Sequence, residues 1–386
     1  MRLDWPLMEN NITREDATAL RYFLMPDGQT ASVPRLTNGP QVRAFEQEFA
    51  QVQGQKYAVM VNSGASANLI TMQALRILFG PGRVLVPCIT WVSDIAAVLH
   101  AGLEPVFVDV DPRTLGMDMY GAASHSALAS FVTHCLGFPA IRGWSSDSIL
   151  IEDCCEALGA QVGGQKVGTL GLMSNFSFYY AHHMSTIEGG MVCTDDERCY
   201  ETLRMLRSHG LAREMDSPTY RKAIFEVCPD LDPEFIFTHP AYNVRSTEIN
   251  AVIGREQLKR VEYQNAKRTA NLVAFLNGLD ASMYRTDYRL EGSSNYALPL
   301  VLQVPSTDFI LKVCTLLCEL GVEYRRGTAG GGNQLRQPYA KDRWGDNYHT
   351  EFPQAEHIHQ FGLYLGNYPS LEAWKIEALC ERLNAL

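Results

Sequence analysis

The sequence predicts an α/β fold built on a mostly parallel sheet with helices on both faces, followed by a smaller α/β domain. Between residues 56 and 151, short apolar runs typical of buried strands alternate with runs typical of helices. This order favours parallel strands, because parallel neighbours are joined by a crossover that usually contains a helix. The 386 residues suffice for two or three domains with a large core.

The elements follow one another as the residue pattern changes along the chain. A helix begins near Asn11, an amphipathic run covers residues 42–49, and residues 56–69 are typical of a strand, a tight turn and a helix. The alternation continues with strands over residues 84–86, 105–108, 130–135 and 148–151 and a helix over residues 93–100. In the last third we expect helices over residues 255–276 and 308–320 and strands over residues 296–301 and 322–325.

Charge and composition exclude some classes of protein. The formal net charge of −10 argues against a nucleic-acid-binding surface. No apolar run reaches the roughly 18 residues that a membrane helix needs, and residues 1–6 lack the hydrophobic segment of a signal peptide. Ten cysteines in such a chain are expected to be reduced thiols. We therefore expect a cytoplasmic protein with neither nucleic acid nor membrane as a partner.

Residues 175–192 form the stretch around which the chain is organised. An apolar, aromatic strand leads into polar residues that cannot all be buried, and a second strand starts after Gly189 and Gly190. Functional residues tend to lie in such turns. His182 suits proton transfer, because the unperturbed pKa of histidine is about 6.5. Alternatively, His182 and His183 are polar residues at a strand end or one arm of a metal site.

Three other stretches offer candidate binding residues. Gly64, Ala65 and Ser66 open a helix whose free N–H groups and dipole favour a phosphate, although packing explains small residues there equally well. Trp91 follows a strand, and its ring either fills the core or stacks on a ligand. Asp153 ends an apolar strand and either binds a ligand or caps the next helix.

The 175–192 stretch is similar to the signature of the DegT-type sugar aminotransferases, which are pyridoxal-phosphate (PLP) enzymes of nucleotide-sugar metabolism. That signature contains Ser-Phe, a lysine shortly after it, and Glu-Gly-Gly. Ser177-Phe178 and Glu188-Gly189-Gly190 match, but His182 holds the place of the lysine, and residues 167–221 contain no lysine. The similarity extends over nearly the whole chain. It implies an aspartate-aminotransferase-type fold (fold type I), with a large PLP-binding domain over residues 1–265 and a small domain over residues 266–386.

The exchange of lysine for histidine indicates which branch of the family the chain resembles. A lysine there forms a Schiff base with the cofactor aldehyde and also moves protons, whereas an imidazole can only move protons. The exchange is similar to the sugar 3-dehydratases of the family. A neighbouring branch carries an iron–sulfur cluster on cysteines that include Cys-x-Cys. This chain contains neither Cys-x-Cys nor Cys-x-x-Cys, which disfavours a cluster.

The resemblance assigns roles to further residues. Asp153 would keep the pyridine nitrogen protonated, Trp91 would stack on the ring, and Glu156 would shape the sugar or glutamate pocket. Asn243, in a Tyr-Asn-x-Arg segment, would reach the cofactor phosphate of a partner subunit, which implies a homodimer with shared active sites. The implied cofactor-binding residues are Gly64, Ala65, Ser66, Trp91, Asp153, Glu156, Ser177 and Asn243.

Four residues are candidates for contact with the substrate. Arg325, Arg326 and Arg336 flank a glycine-rich loop, and arginines bind a nucleoside diphosphate well; a solvated basic loop is the alternative. His209 matches an Arg-x-His-Gly pattern of the family, or is a structural residue at a helix end. The pair His357 and His359 has no third ligand nearby, so no metal site is expected.

The resemblance implies a lyase that removes the C3 hydroxyl of a nucleotide-linked 4-keto-6-deoxyhexose, with GDP-4-keto-6-deoxymannose favoured. L-Glutamate would convert PLP to pyridoxamine 5'-phosphate (PMP), His182 would be the base, and ammonia would be released. One alternative is a sugar 4-aminotransferase that lacks its lysine and releases a stable amino sugar. Another is a catalytically silent nucleotide-sugar-binding protein.

Overall fold

The computed structural model describes residues 2–25, 34–141 and 147–386. Over these residues the chain forms thirteen α-helices and twelve β-strands. The helices are α1 (Arg14–Leu24), α2 (Pro40–Gln53), α3 (Gly64–Phe79), α4 (Val92–His100), α5 (Met119–Ala123), α6 (Glu197–Arg207), α7 (Pro218–Val227), α8 (Glu248–Leu258), α9 (Val261–Gly278), α10 (Thr307–Leu320), α11 (Pro338–Trp344), α12 (Pro353–Phe361) and α13 (Ala373–Asn384). The strands are β1 (Tyr57–Val61), β2 (Arg83–Pro87), β3 (Glu104–Val108), β4 (Ala129–Thr133), β5 (Ile149–Asp153), β6 (Gln161–Val162), β7 (Gln165–Lys166), β8 (Met173–Ser177), β9 (Gly190–Thr194), β10 (Ala297–Val301), β11 (Tyr324–Arg326) and β12 (Gly362–Gly366).

Seven strands form the large sheet, in the order β1-β9-β8-β5-β4-β2-β3. Strand β9 is antiparallel to β1 and β8, whereas β8, β5, β4, β2 and β3 run parallel to one another. The predicted α/β class with a mostly parallel sheet is therefore confirmed. Because β1 and β8 are both antiparallel to β9, every strand of this sheet except β9 ends at the same edge.

The large sheet is buried on both faces. All five residues of β4 and all five of β9 are buried, as expected for strands with helices above and below. Four phenylalanine rings join α2 to β8 and the residue after it, with centroids 5.1 to 6.0 Å apart: Phe45, Phe49, Phe176 and Phe178. This cluster fixes the strand that leads into the 175–192 stretch.

The small sheet is antiparallel, with β12 between β10 and β11. The N-terminal segment packs beside it, since Trp5 is fully buried, pairs with Val322, and donates from Nε1 to the carbonyl of Gly366 at 2.9 Å. The predicted domain boundary at residue 265 falls inside α9 and stays a prediction.

The predicted strands and helices lie close to the observed ones, but the single helix expected over residues 255–276 is wrong. The structure has two helices, α8 and α9, because the backbone of Arg260 (φ −119°, ψ 2°) is not helical. The Arg260 guanidinium forms an ion pair with the buried Asp16 of α1. Within the described ranges, no helix combines the length and the apolar character needed to cross a membrane.

Candidate active site

The shared edge of the large sheet brings the sequence-predicted residues together. Gly64 follows β1, Trp91 follows β2, Asp153 ends β5 and Ser177 ends β8. In an open α/β sheet, ligands bind beyond the carboxyl ends of the strands. Gly64 touches the neighbouring strands closely: a Cβ on this residue would lie 2.6 Å from Cβ of Ser177 and 3.1 Å from Sγ of Cys155.

The start of α3 offers an anion site. The first N–H groups of a helix have no intrahelical acceptor. Of those in α3, the Ser63 side chain accepts the backbone N–H of Ser66, at 3.1 Å. The hydroxyl of Ser66 donates to Oδ1 of Asn62 at 2.6 Å. The N–H groups of Gly64 and Ala65 therefore suit a phosphate.

Asp153 is 4% exposed at the centre of the sheet. Its Oδ1 accepts the backbone N–H of Cys155 at 2.8 Å, while its Oδ2 has a long contact of 3.5 Å from Nδ2 of Asn68. A buried carboxylate with one loosely held oxygen can pair with a protonated ring nitrogen.

A second carboxyl, Asp94 in the first turn of α4, lies beside Asp153. It is fully buried and accepts hydrogen bonds from Nδ2 of Asn68 at 2.6 Å, from Oγ1 of Thr133 at 2.8 Å and from Oγ1 of Thr90. Burial, followed by the neighbouring Asp153, raises the pKa of Asp94 well above its ordinary value. The raised pKa favours the neutral form of Asp94 beside Asp153. The sequence reading missed Asp94, because an acid in a first helical turn is ordinary.

His182 lies in the turn after β8. Its N–H donates to the carbonyl of Tyr179 at 3.0 Å, and its ring packs against that of Tyr296, with centroids 5.1 Å apart. Its Nδ1 is buried without a hydrogen-bond partner in the described structure. Burial, and next the charge of Arg268, lower the pKa of His182 to about 3. The imidazole is therefore neutral at pH 7 and able to accept a proton.

His183 is held differently from His182. It is almost completely buried, and its Nε2 lies 3.1 Å from the carbonyl oxygen of Ser294. Burial lowers the pKa of His183 well below its ordinary value. This residue packs and anchors the turn.

Glu156 lies near Asp153 and Arg325. Its Oε2 accepts the N–H of Leu136 at 2.8 Å, and the backbone of Leu136 has a positive φ of 51°. Burial is the largest effect and raises the pKa of Glu156 to about 8, with Asp153 adding to the rise and Arg325 opposing it. Glu156 can therefore donate as well as accept a hydrogen bond near neutral pH.

The three predicted substrate arginines point to different places. Successive side chains of a strand point to opposite faces, so Arg325 and Arg326 of β11 lie on different faces. Arg325 donates to the hydroxyl of Tyr364 at 3.3 Å, and Arg326 donates to the carbonyl of Gln360 at 2.9 Å. The Nε of Arg336 donates to both oxygens of Glu356, at 2.9 and 3.1 Å. Only Arg325 acts on the charge of Glu156 at the cleft. Contact of Arg326 and Arg336 with substrate stays a prediction.

The glycine-rich loop lies on Trp91. The indole is 48% exposed, and a Cβ on Gly330 would lie 2.7 Å from its Cε3. Asn333 pairs with Ile89, which brings this loop to the end of β2. One face of the ring is thus covered by backbone.

Asn243 and His209 lie on neighbouring segments. The backbone of Asn243 forms an antiparallel β-bridge with that of Ser208, and its side-chain Oδ1 accepts from Nε of Arg245 at 2.9 Å. Arg245 in turn pairs with Val61 at the end of β1. His209 has a positive φ of 63° and donates its N–H to the carbonyl of Tyr242 at 2.6 Å. The Asn243 side chain is exposed in the single chain.

One group of possible metal ligands occurs in the described part of the chain: His134, Glu152 and Cys154. Both ring nitrogens of His134 are used, since Nδ1 accepts from the N–H of Ala140 at 3.0 Å and Nε2 lies 3.1 Å from Oε2 of Glu152. Glu152 also accepts the N–H groups of Gly168, Leu170 and Gly171. These contacts identify the group as structural. Of the two histidines His357 and His359, the first has Nε2 at 2.8 Å from the carbonyl oxygen of Leu302.

Comparison with known proteins gives consistent matches. A model of the DegT/DnrJ/EryC1/StrS aminotransferase family matches residues 29–384. A GDP-4-keto-6-deoxy-D-mannose 3-dehydratase of Yersinia pseudotuberculosis is 32% identical over 347 residues, which are 86% of this chain and 88% of that protein. The solved structure of the E. coli GDP-4-keto-6-deoxy-D-mannose-3-dehydratase with bound hydrated PLP has a TM-score of 0.85 at 28% identity, over 99% of this chain and 100% of that one. A structure of GDP-4-keto-6-deoxymannose-3-dehydratase with a trapped PLP-glutamate geminal diamine has a TM-score of 0.83 at 28% identity, over 98% and 100%.

Proposed function

Because this chain belongs to the DegT/DnrJ/EryC1/StrS aminotransferase family, we propose that it is a PLP-dependent enzyme that removes the C3 hydroxyl of GDP-4-keto-6-deoxymannose. The expected fold type I architecture is confirmed by the likeness to the solved dehydratase structures. One observation carries the proposal. A neutral histidine, His182, holds the position where an aminotransferase of the family has its Schiff-base lysine.

The residues at the sheet edge fit the cofactor. Gly64, Ala65 and Ser66 would hold its phosphate at the start of α3, where a side chain on Gly64 would collide with Ser177 and disturb the turn. The carboxylate of Asp153 would pair with the pyridine nitrogen. Trp91 has an exposed indole face on which the ring would stack. We propose that Ser177 and Glu156 line the same pocket.

In PMP form, the cofactor supplies an amino group for the C4 ketone of the sugar and a ring that draws electrons from the adjacent carbon. His182 would accept a proton at its imidazole and return it to the departing C3 hydroxyl of the sugar, which would leave as water. Asp153 would pair with the ring nitrogen and favour its protonated form. L-Glutamate supplies the amino group and the two electrons, leaving as 2-oxoglutarate. The overall products are therefore a 3-deoxy-4-keto sugar, 2-oxoglutarate and ammonia.

Arg325 is the best-placed of the arginines for an anionic group of the substrate. Its guanidinium lies on the same face of β11 as the Tyr364 hydroxyl, near Glu156, and forms no ion pair within the described structure. A guanidinium binds phosphate oxygens bidentately. We assign the nucleoside diphosphate to this side of the cleft, and His209, Arg326 and Arg336 to its outer part.

The proposed enzyme is a homodimer with shared active sites. Helix α7 has no buried residue, and Phe235 and Phe237 after it are each 58% exposed, so a large apolar area faces outward in one chain. Asn243 is exposed on a neighbouring segment. A second copy that covers this area would receive the Asn243 amide at its own cofactor phosphate.

Mixing two inactive variants tests the shared site. In dimers of His182→Asn with Asn243→Ala, one site receives both defects and the other receives none. Activity should therefore reappear after subunit exchange. If both residues serve the same chain, every site keeps one defect and mixing restores nothing.

The cytoplasmic location is also a proposal. All ten cysteines lie in the described ranges as free thiols, which persist in a reducing compartment.

An ammonia assay with purified protein, PLP, L-glutamate and GDP-4-keto-6-deoxymannose tests the reaction. We expect stoichiometric ammonia and 2-oxoglutarate and a sugar product that has lost one oxygen. His182→Asn should abolish ammonia release, whereas His125→Asn, the same exchange at an exposed position, should not. A stable amino sugar without ammonia would instead indicate an aminotransferase. Binding without turnover would indicate a silent binding protein.

A further inference from the structure

Arg268 is a buried charge without an acidic partner. It lies within α9, is 4% exposed, and forms no ion pair in the described ranges. A buried charge is costly unless it is paired or fully hydrogen-bonded. Three backbone carbonyls provide part of the compensation: Nη1 donates to Tyr296 at 3.2 Å and to Asn367, and Nη2 donates to His182 at 3.3 Å, while Nε has no partner in the described structure.

Two of these carbonyls belong to residues whose rings touch. The imidazole of His182 packs on the phenol ring of Tyr296, with centroids 5.1 Å apart and planes tilted by 35°. One planar guanidinium therefore fixes the backbone beneath both rings. The third carbonyl is that of Asn367. The side chain of Asn367 also bonds to Arg268, because its Nδ2 donates to the carbonyl of Arg268 at 3.0 Å.

The charge of Arg268 also acts on the imidazole. After burial, it is the next cause that lowers the pKa of His182. The other titratable or charged groups around the pair are Tyr179 and His183 on the same turn, Tyr296 before β10, and Glu9 of the N-terminal segment. Glu156 and Arg325 also act on Tyr296. Arg268 is the cation whose charge acts on the imidazole itself. An imidazolium formed beside it is a stronger acid, which suits the return of a proton to a leaving hydroxyl.

We propose that Arg268 is a positioning residue that fixes His182 against Tyr296 and places a positive charge behind the imidazole. The inference rests on the proposed function in that it takes His182 as the base. A guanidinium is required because it combines a permanent charge with several donors in one plane.

Three variants separate the two effects. Arg268→Lys keeps the charge and loses the planar set of donors, Arg268→Gln loses both, and Lys267→Gln removes an exposed charge from the same helix as the control. We expect Arg268→Lys to lower kcat about tenfold or more with KM little changed, because small displacements of a catalytic group are costly. Lys267→Gln should leave kcat unchanged.

The effect of the Arg268 charge on the protonation of His182 is measured by NMR of histidine-labelled, cofactor-free full-length protein. The His182 signal is assigned by its loss in His182→Asn. Removal of a nearby cation should raise the pKa of His182 by about one pH unit. At pH 4.5 the protonated fraction should then rise from about 3% in the parent protein to about a quarter in Arg268→Gln. Arg268→Lys and Lys267→Gln should leave it unchanged, and circular dichroism at the same pH checks the fold.

Parent-like kcat in Arg268→Lys overturns the positioning role. An unmoved His182 signal in folded Arg268→Gln overturns the electrostatic one. If Arg268→Gln does not fold, the kcat of Arg268→Lys decides alone. The NMR measurement needs no substrate, so it remains decisive even if GDP-4-keto-6-deoxymannose proves to be the wrong substrate.

Discussion

Replacing Asp94 by Asn tests the buried carboxyl pair. The site of Asp94 suits a neutral group, because the residue is fully buried beside Asp153 and surrounded by Thr90, Thr133 and Asn68. An Asn has nearly the same shape, can accept from a threonine hydroxyl, and can donate to Asp153. We therefore expect Asp94→Asn to fold and to differ from the parent protein chiefly in its dependence on pH.

The expected size follows from proton linkage. The folded-state pKa of Asp94 is raised, so its stabilising contribution is complete below the unfolded-state pKa and is lost as pH rises toward the folded-state value. Over that window the parent protein loses about 1.4 kcal/mol of unfolding free energy per pH unit through this group. The Asp94→Asn variant does not lose this free energy, because it has no carboxyl group to ionise at this position. Its stability relative to the parent should therefore increase by about 1.4 kcal/mol per pH unit between the unfolded-state pKa and the folded-state pKa of Asp94.

Two measurements check this expectation. Urea unfolding of cofactor-free protein at pH 5, 6 and 7 gives the slope, with the exposed Asp308→Asn as a control that should follow the parent. Infrared spectroscopy should detect a protonated carboxyl at pH 7 in the parent and its loss in Asp94→Asn. Equal slopes in all three proteins, without a protonated carboxyl band, would mean that Asp94 is ionised and that the pair carries two charges.

Further predictions concern the cofactor cradle, the missing lysine and the core. His182→Lys should produce a Schiff-base absorbance with PLP that borohydride converts to a permanent mass increase; an unmodified protein mass would place residue 182 away from the cofactor. Gly64→Ala should weaken PLP binding about tenfold or more by fluorescence titration, because its methyl group would lie 2.6 Å from Cβ of Ser177; unchanged affinity would show that the cradle is elsewhere. Glu46→Gln should lower stability by about 3–5 kcal/mol, because it leaves the fully buried Arg207 without its ion-pair partner; thermal unfolding should show a large fall in Tm, and a small change would mean that Arg207 finds another acceptor.

Much of the fold was predictable because local sequence determines where strands end. Apolar runs followed by small or polar residues located Gly64, Trp91 and Asp153 correctly at strand ends, and the parallel order of the sheet brought these ends together. The prediction of a single helix over residues 255–276 was wrong. The chain leaves the helical conformation at Arg260, whose side chain forms an ion pair with Asp16 of a distant helix.

The residues that sequence reasoning missed act across long separations. Asp94 meets Asp153 only because β4 and β5 lie side by side with α4 packed near their ends, and its own surroundings in the sequence are those of any first helical turn. Arg268 reaches the carbonyl of His182, 86 residues earlier. No local residue pattern encodes a hydrogen bond to a carbonyl 86 residues away.

The last two residues of β5 do different work on opposite faces of one strand. Glu152 accepts backbone N–H groups of residues 168, 170 and 171, while Asp153 lies buried at the edge of the sheet where the cofactor is expected. Adjacent side chains of a strand point to opposite faces, so a shift of one residue would exchange their positions. The alignment of β5 against β4 and β8 therefore sets both positions, and a one-residue deletion within β5 should cost both the anchor and the acid at once.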